Sequence, residues 1–135
     1  MLVHGQCHCG AITYTAEVDP ASVVVCHCND CQQFAGAPYR AMIGAAAESF
    51  ALQGQPRLYT KTADSGRQRV QAFCATCGTH LYAVDPGDSP ERYGLRIGAI
   101  AERGEFAPPV RQLWCQSALA WSSDLRAVPG SPGQS

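Results

Sequence analysis

The stretch Cys26-His27-Cys28-Asn29-Asp30-Cys31 sets three cysteines within six residues, directly after the β-branched run Val23-Val24-Val25. In an extended strand the side chains of i and i+2 leave the same face, so Cys26 and Cys28 offer two sulfurs to one ion while His27 points away. The C-x-x-C spacing from Cys28 to Cys31 instead requires a turn that converges both sulfurs on a metal. The pattern is that of a β-strand running into a metal knuckle.

Two further groups repeat the theme: Cys7-His8-Cys9 near the start and Cys74-Ala75-Thr76-Cys77 in the middle, with Cys115 alone. Gly10 follows Cys9 and Gly78 follows Cys77, where each can supply the positive φ that such a turn requires. A soft, sulfur-rich tetrahedral set favours Zn²⁺ over hard cations, with iron as the chief rival. Spacing alone leaves three partitions open. Cys7, Cys9, Cys74 and Cys77 form one closed site and Cys26, Cys28 and Cys31 an open one; or Cys115 closes the triplet; or Cys7 and Cys9 join the triplet and Cys115 joins Cys74 and Cys77.

The rest of the chain suits a metal-stapled domain. Of 135 residues 46% are hydrophobic, but 20 are alanines, so the bulk available for a core is modest. The length predicts one domain over residues 1–128, followed by a disordered tail over 129–135. Ten Lys and Arg against eleven Asp and Glu leave a net charge of -1, which disfavours nucleic acid or an anionic membrane as partner. There is no run of about 18 apolar residues to span a bilayer. The first residues lack the basic and apolar regions of a secretory signal, so the expected compartment is the cytoplasm, where clustered thiols bind metal or react rather than form disulfides.

Strand signals fall at 11–18, Val23–Val25, Leu58–Thr62, Arg69–Phe73, His80–Val84 and Tyr93–Ile97, separated by Pro, Gly and Asp punctuation. This density predicts an all-β sandwich or open barrel with minor helical turns. One turn of helix is expected over 29–36, and the short alanine-rich segment Gly44–Phe50 is the other helix candidate.

The motifs together resemble a known family. Gly5 to Gly10 reads G-x-C-H-C-G, Cys26 to Cys31 is followed by Gly36-Ala37-Pro38, Phe73 to Thr79 reads F-C-x-x-C-G-T, and Trp114, Ser117 and Trp121 form W-x-x-S-x-x-x-W. The sequence is similar to the glutathione-dependent formaldehyde-activating enzyme family, which includes centromere protein V. The resemblance implies an antiparallel two-sheet fold, sometimes called a β-tent, and two zinc ions per chain. It implies a structural zinc on Cys7, Cys9, Cys74 and Cys77 and a catalytic zinc on Cys26, Cys28 and Cys31. It leaves Cys115 as a small buried hydrophobe. The implied chemistry is that of a carbon–sulfur lyase, joining or parting formaldehyde and a small thiol such as glutathione.

Three thiolates around Zn²⁺ leave a site of net charge -1, which favours activation of a thiol over activation of water. Other residues carry structural readings first. His8 and His27 are expected at the surface or behind the ligands, Asp30 in an Asx turn, His80 in the framework, Arg40 on the surface, and Trp114 and Trp121 in core or rim packing. Glu48 is a possible acid or base by proximity alone. An enzyme acting on glutathione, a related enzyme for another small electrophile, and a zinc-stabilised binding module all remain open readings.

Overall fold

The computed structural model describes residues 1–134, so the last residue of the expected tail, Ser135, lies outside the described residues. Two sheets make the framework. The smaller joins β1 (Leu2–Gln6), β2 (Thr13–Glu17) and β5 (Ala51–Gln53) in the order β1-β2-β5. The larger comprises β3 (Val24–Cys26), β4 (Arg40–Ala46), β6 (Arg57–Thr62), β7 (Gln68–Phe73), β8 (His80–Val84), β9 (Arg92–Arg96) and β10 (Arg111–Leu113), in the order β10-β3-β4-β9-β8-β7-β6. Among the described residues, one helix, α1 (Asn29–Ala35), and a few short 3₁₀ turns complete the set of elements.

Alternation is clearest in β1 and β2. In β2, Tyr14 and Ala16 are buried between more exposed Thr13, Thr15 and Glu17. Ile43 and Ala45 of β4, Val70 and Ala72 of β7 and Leu95 of β9 meet them in one apolar cluster shared by both sheets. Phe50 seals one side, its ring stacked on Tyr93 with centroids 3.9 Å apart and tilted toward Tyr14 at 5.2 Å. The shared apolar cluster and this stacking together bind the two sheets.

The structure corrects three local expectations. Gly44–Ala46 lies in β4, and only Ala47–Ser49 makes a 3₁₀ turn, because burial of Ile43 and Ala45 at a period of two outweighs the helix propensity of alanine. The helix near the triplet spans seven residues, more than one turn, and ends at Gly36. The strand pairs are antiparallel with one exception, since β10 runs parallel to β3 with Leu113 beside Cys26. That return carries Trp114 and Ser117 back to the cysteine triplet. No helix among the described residues is long and apolar enough to cross a membrane.

Candidate functional site

Seven sulfurs gather in two groups. The Sγ atoms of Cys7, Cys9, Cys74 and Cys77 lie within 4.8 Å of one another, and so do those of Cys26, Cys28 and Cys31. No disulfide joins the cysteines. Cys115 belongs to neither group and is exposed on a 3₁₀ turn, so it is not the buried hydrophobe expected from sequence.

In the first group the sulfurs of Cys7 and Cys9 are 3.6 Å apart, and those of Cys9 and Cys74 are 3.7 Å apart. An ion bound tetrahedrally at about 2.3 Å from each sulfur sets neighbouring sulfurs about 3.8 Å apart, so the donor set and its spacing both fit Zn²⁺. Cys7 and Cys9 occupy a turn after β1 rather than an extended strand: the Gly10 N–H donates to the Cys7 carbonyl at 3.0 Å. The Gly78 N–H repeats this on the Cys74 carbonyl at 2.8 Å. Both glycines hold positive φ, 83° for Gly10 and 79° for Gly78, a conformation that a side chain would strain. A β-bulge at Ala72/Phe73 turns β7 into the second knuckle.

Thr79 ties the two knuckles together. Its hydroxyl oxygen accepts the His8 N–H at 3.0 Å and lies 3.3 Å from Cys77 Sγ. That hydroxyl, helped by the backbone, pulls the Cys77 thiol down to about 5. The Ile12 N–H donates to Cys7 Sγ at 3.3 Å. Donors aimed at sulfur favour the thiolate that a metal requires.

The second group is built differently. Cys26 ends β3, Cys28 caps α1 by accepting the Cys31 N–H on its Sγ at 3.3 Å, and Cys31 sits in the first turn of the helix. Burial works against ionisation of Cys28, but the Cys31 N–H and the neighbouring thiols outweigh it and lower the pKa. Cys31 is deeper, and burial pushes its thiol up to about 12 despite the adjacent Arg40.

Arg40 is the residue that sequence reasoning misplaced. It is 7% exposed, and its Nε and Nη2 donate to Cys31 Sγ at 3.2 and 2.9 Å. Its Nη1 donates to Gln71 Oε1 at 2.9 Å, and Arg96 Nη2 donates to the same oxygen at 2.9 Å. Burial, with Arg40 nearby, pushes Arg96 down to about 9. Arg40 faces Cys26 across the β3–β4 pair, so the guanidinium reaches the triplet by strand register. Reading β4 as a strand would have exposed that placement.

Cys28 is half-buried and borders a cavity of about 390 Å³ together with Asp30, Lys61, Trp114 and Ser117. Lys61 Nζ lies 2.6 Å from Asp30 Oδ2, so Asp30 is an ion-pair partner rather than the expected Asx-turn residue. Gln32 Nε2 donates to the carbonyls of His27 and Ser117, at 2.8 and 3.0 Å, clamping α1 to the segment after β10. Trp114 stands at this rim at φ 56°, the one positive-φ non-glycine among the described residues, and is 59% exposed. A backbone held in that region by a large residue marks a constrained position.

The remaining candidates fall as follows. His27 is buried, its Nε2 2.8 Å from Gln112 Oε1, while His8 is exposed. His80 stacks on Phe73 with ring centroids 5.6 Å apart, a framework position. Trp121 is exposed on a 3₁₀ turn. Glu48 is exposed beyond the far end of β4 from Arg40 and borders neither the triplet nor its cavity, which removes the basis for an acid or base role.

A family model described as Glutathione-dependent formaldehyde-activating enzyme matches residues 2–117. The chain belongs to that family. Both cysteine groups and the segment that returns Trp114 beside Cys28 lie within the matched residues of this formaldehyde-activating enzyme domain. Among solved structures, a Rhodobacter sphaeroides protein superposes with a TM-score of 0.61 at 21% identity, covering 81% of this chain and 98% of its own. That likeness concerns the fold. The comparison with curated proteins returned no match.

Proposed function

We propose that the chain is a zinc-dependent carbon–sulfur lyase of the formaldehyde-activating type, acting on glutathione and formaldehyde or on a related thiol adduct. The observation that carries the reading is Cys28, one of three sulfurs within 4.8 Å and half-buried against a cavity. Cys7, Cys9, Cys74 and Cys77 would hold a structural zinc. Cys26, Cys28 and Cys31 would hold a second, which when bound supplies a Lewis acid for the substrate sulfur.

In the forward direction the thiol S–H bond breaks and a sulfur–carbon bond forms to the aldehyde. The carbonyl oxygen takes the proton, and S-hydroxymethylglutathione results; the reverse is the lyase step. Arg40 sets the charge for this chemistry. Three thiolates and Zn²⁺ sum to -1, and the guanidinium on Cys31 brings the sum to zero, so an incoming thiolate is not repelled. Lys61, only 15% exposed and held by Asp30 on the cavity wall, offers an N–H donor where negative charge gathers on the aldehyde oxygen. Trp114 lines the same cavity. Eight unpaired thiols suit a reducing compartment, and we place the protein in the cytoplasm.

The test pairs zinc analysis with the rate of glutathione consumption in formaldehyde. Two zincs per chain, turnover above the spontaneous reaction, and loss of that turnover in Cys28→Ser support the reading. A fully loaded protein with no rate above the spontaneous one overturns it.

A further inference from the structure

The near-neutral sum of charges hides a polarised molecule. One face of the larger sheet packs on the core, and its other face lines a cavity of about 520 Å³. Lys61, Arg67 and Arg69 of the β6–β7 hairpin line that cavity. Arg92 and Arg96 enter from β9, Arg40 from β4 and Arg111 from β10. Seven of the ten basic residues of the chain therefore converge on one concave face, where Asp85 is the sole acidic lining residue among the described residues.

The local ion pairs leave most of that charge unbalanced. Asp85 is shared by Arg67 and Arg69, at 3.1 and 2.8 Å; Lys61 is taken by Asp30, and Arg40 by Cys31. Arg92, Arg96 and Arg111 have no acidic partner among the described residues. Arg96 is 7% exposed, and its Nε is buried without a hydrogen-bond partner. An orphaned guanidinium N–H beside a second buried guanidinium is costly unless an anion completes it.

The floor is shaped for these groups. Gly44 and Gly94 are paired across β4 and β9 at its centre. A Cβ on Gly44 would come within 2.8 Å of Arg92 Nη2, and one on Gly94 within 3.7 Å of Arg69 Nη2. Gly44 thus leaves the Arg92 guanidinium room above the sheet, while a Cβ at Gly94 would make only ordinary van der Waals contact. Guanidinium forks recognise oxyanions through paired N–H donors.

We propose that this face is an oxyanion-binding site for a small ligand with two or more negative charges, carried as phosphate esters or clustered carboxylates. The site stands whether or not the triplet is catalytic. If the lyase reading also holds, the thiol substrate is more anionic than glutathione, whose two carboxylates and one ammonium sum to about -1. Lys61 borders both this cavity and that of Cys28, so one ligand can span them.

Calorimetric titration of the zinc-loaded protein with phenyl phosphate and, separately, tricarballylate, at fixed chloride concentration, tests the site. Saturable binding of either probe is expected, the tighter one naming the source of the charge. Arg92→Gln and Arg111→Gln, both at exposed positions, should each weaken it roughly tenfold, and Asp85→Asn should tighten it by freeing Arg67 and Arg69. Cys28→Ser should bind the probes as before. No saturable binding of either probe, binding unchanged in the double Arg92→Gln/Arg111→Gln variant, or binding lost in Cys28→Ser overturns the proposal; the last would place the anion on the metal. Glutathione turnover is measured separately, so failure of the lyase reading leaves these titrations intact.

Discussion

The two sulfur groups use the same amino acid and differ in what each closes. The four-sulfur group joins turns distant in sequence, with Cys9 and Cys74 separated by 65 positions, and backbone N–H groups and Thr79 surround it. The triplet closes a loop of a few residues and is faced by a buried guanidinium. Loop-closure entropy grows with separation, so an ion in the first group stabilises the fold and an ion in the second adds little. Under the function proposed above, a second metal that contributes little stability and borders a cavity would be the one placed for chemistry.

The largest effect should come from breaking the clasp. Cys74→Ser is expected to lower stability by about 4 kcal/mol or more and to remove one zinc, as read by chemical denaturation and metal analysis. A stable variant with one zinc lost would erase the difference between the groups. Next in size, in the zinc-loaded protein, where Cys31 would be held as a thiolate, Arg40→Met should cost about 3 kcal/mol by leaving that buried charge unpaired, whereas Arg40→Lys keeps the charge, loses the fork on Cys31, and should cost less. Equal losses in the two variants would mean that packing rather than charge matters there.

Cys28→Ser should shift stability by less than about 1 kcal/mol while removing the second zinc and the glutathione-dependent turnover. A collapse in stability comparable with that of Cys74→Ser would make the triplet structural too.

The smallest effect lies outside both groups. Burial opposes ionisation of Glu102, but the backbone N–H and ring of His4, at 2.8 and 2.6 Å, hold its carboxyl below the ordinary value. A carboxyl lowered on folding contributes stability above its unfolded value, about 4.3, and loses it as pH falls through the lower folded value. Glu102→Gln should therefore flatten the acid limb of stability by about 1 kcal/mol or less, with zinc content unchanged near neutrality. Zinc loss in this variant would extend the clasp to the N-terminal hairpin.

Much of this was legible in the sequence where side-chain type and spacing act locally. The C-x-C and C-x-x-C pairs, with Gly10 and Gly78 behind them, mark the knuckles because turn geometry and thiolate chemistry are short-range. The strands from β6 to β9 show alternation or β-branched content. The hidden parts depend on pairing. Arg40 reads as a surface residue until β4 is seen to run beside β3, and β10 is three residues that become a strand by lying parallel to β3. The basic face is assembled from five strands, so the balance of ten cations against eleven anions conceals it. Cys115 is exposed because the 3₁₀ turn after Trp114 carries it outward, which its solitary position does not reveal.

That one sulfur group is closed and the other open to ligand can be read from cadmium NMR of the cadmium-substituted protein during addition of glutathione. Two resonances are expected, of which one shifts and the other stays fixed. A single resonance, movement of both, or movement of neither would mean that the groups do not divide into one closed and one open site.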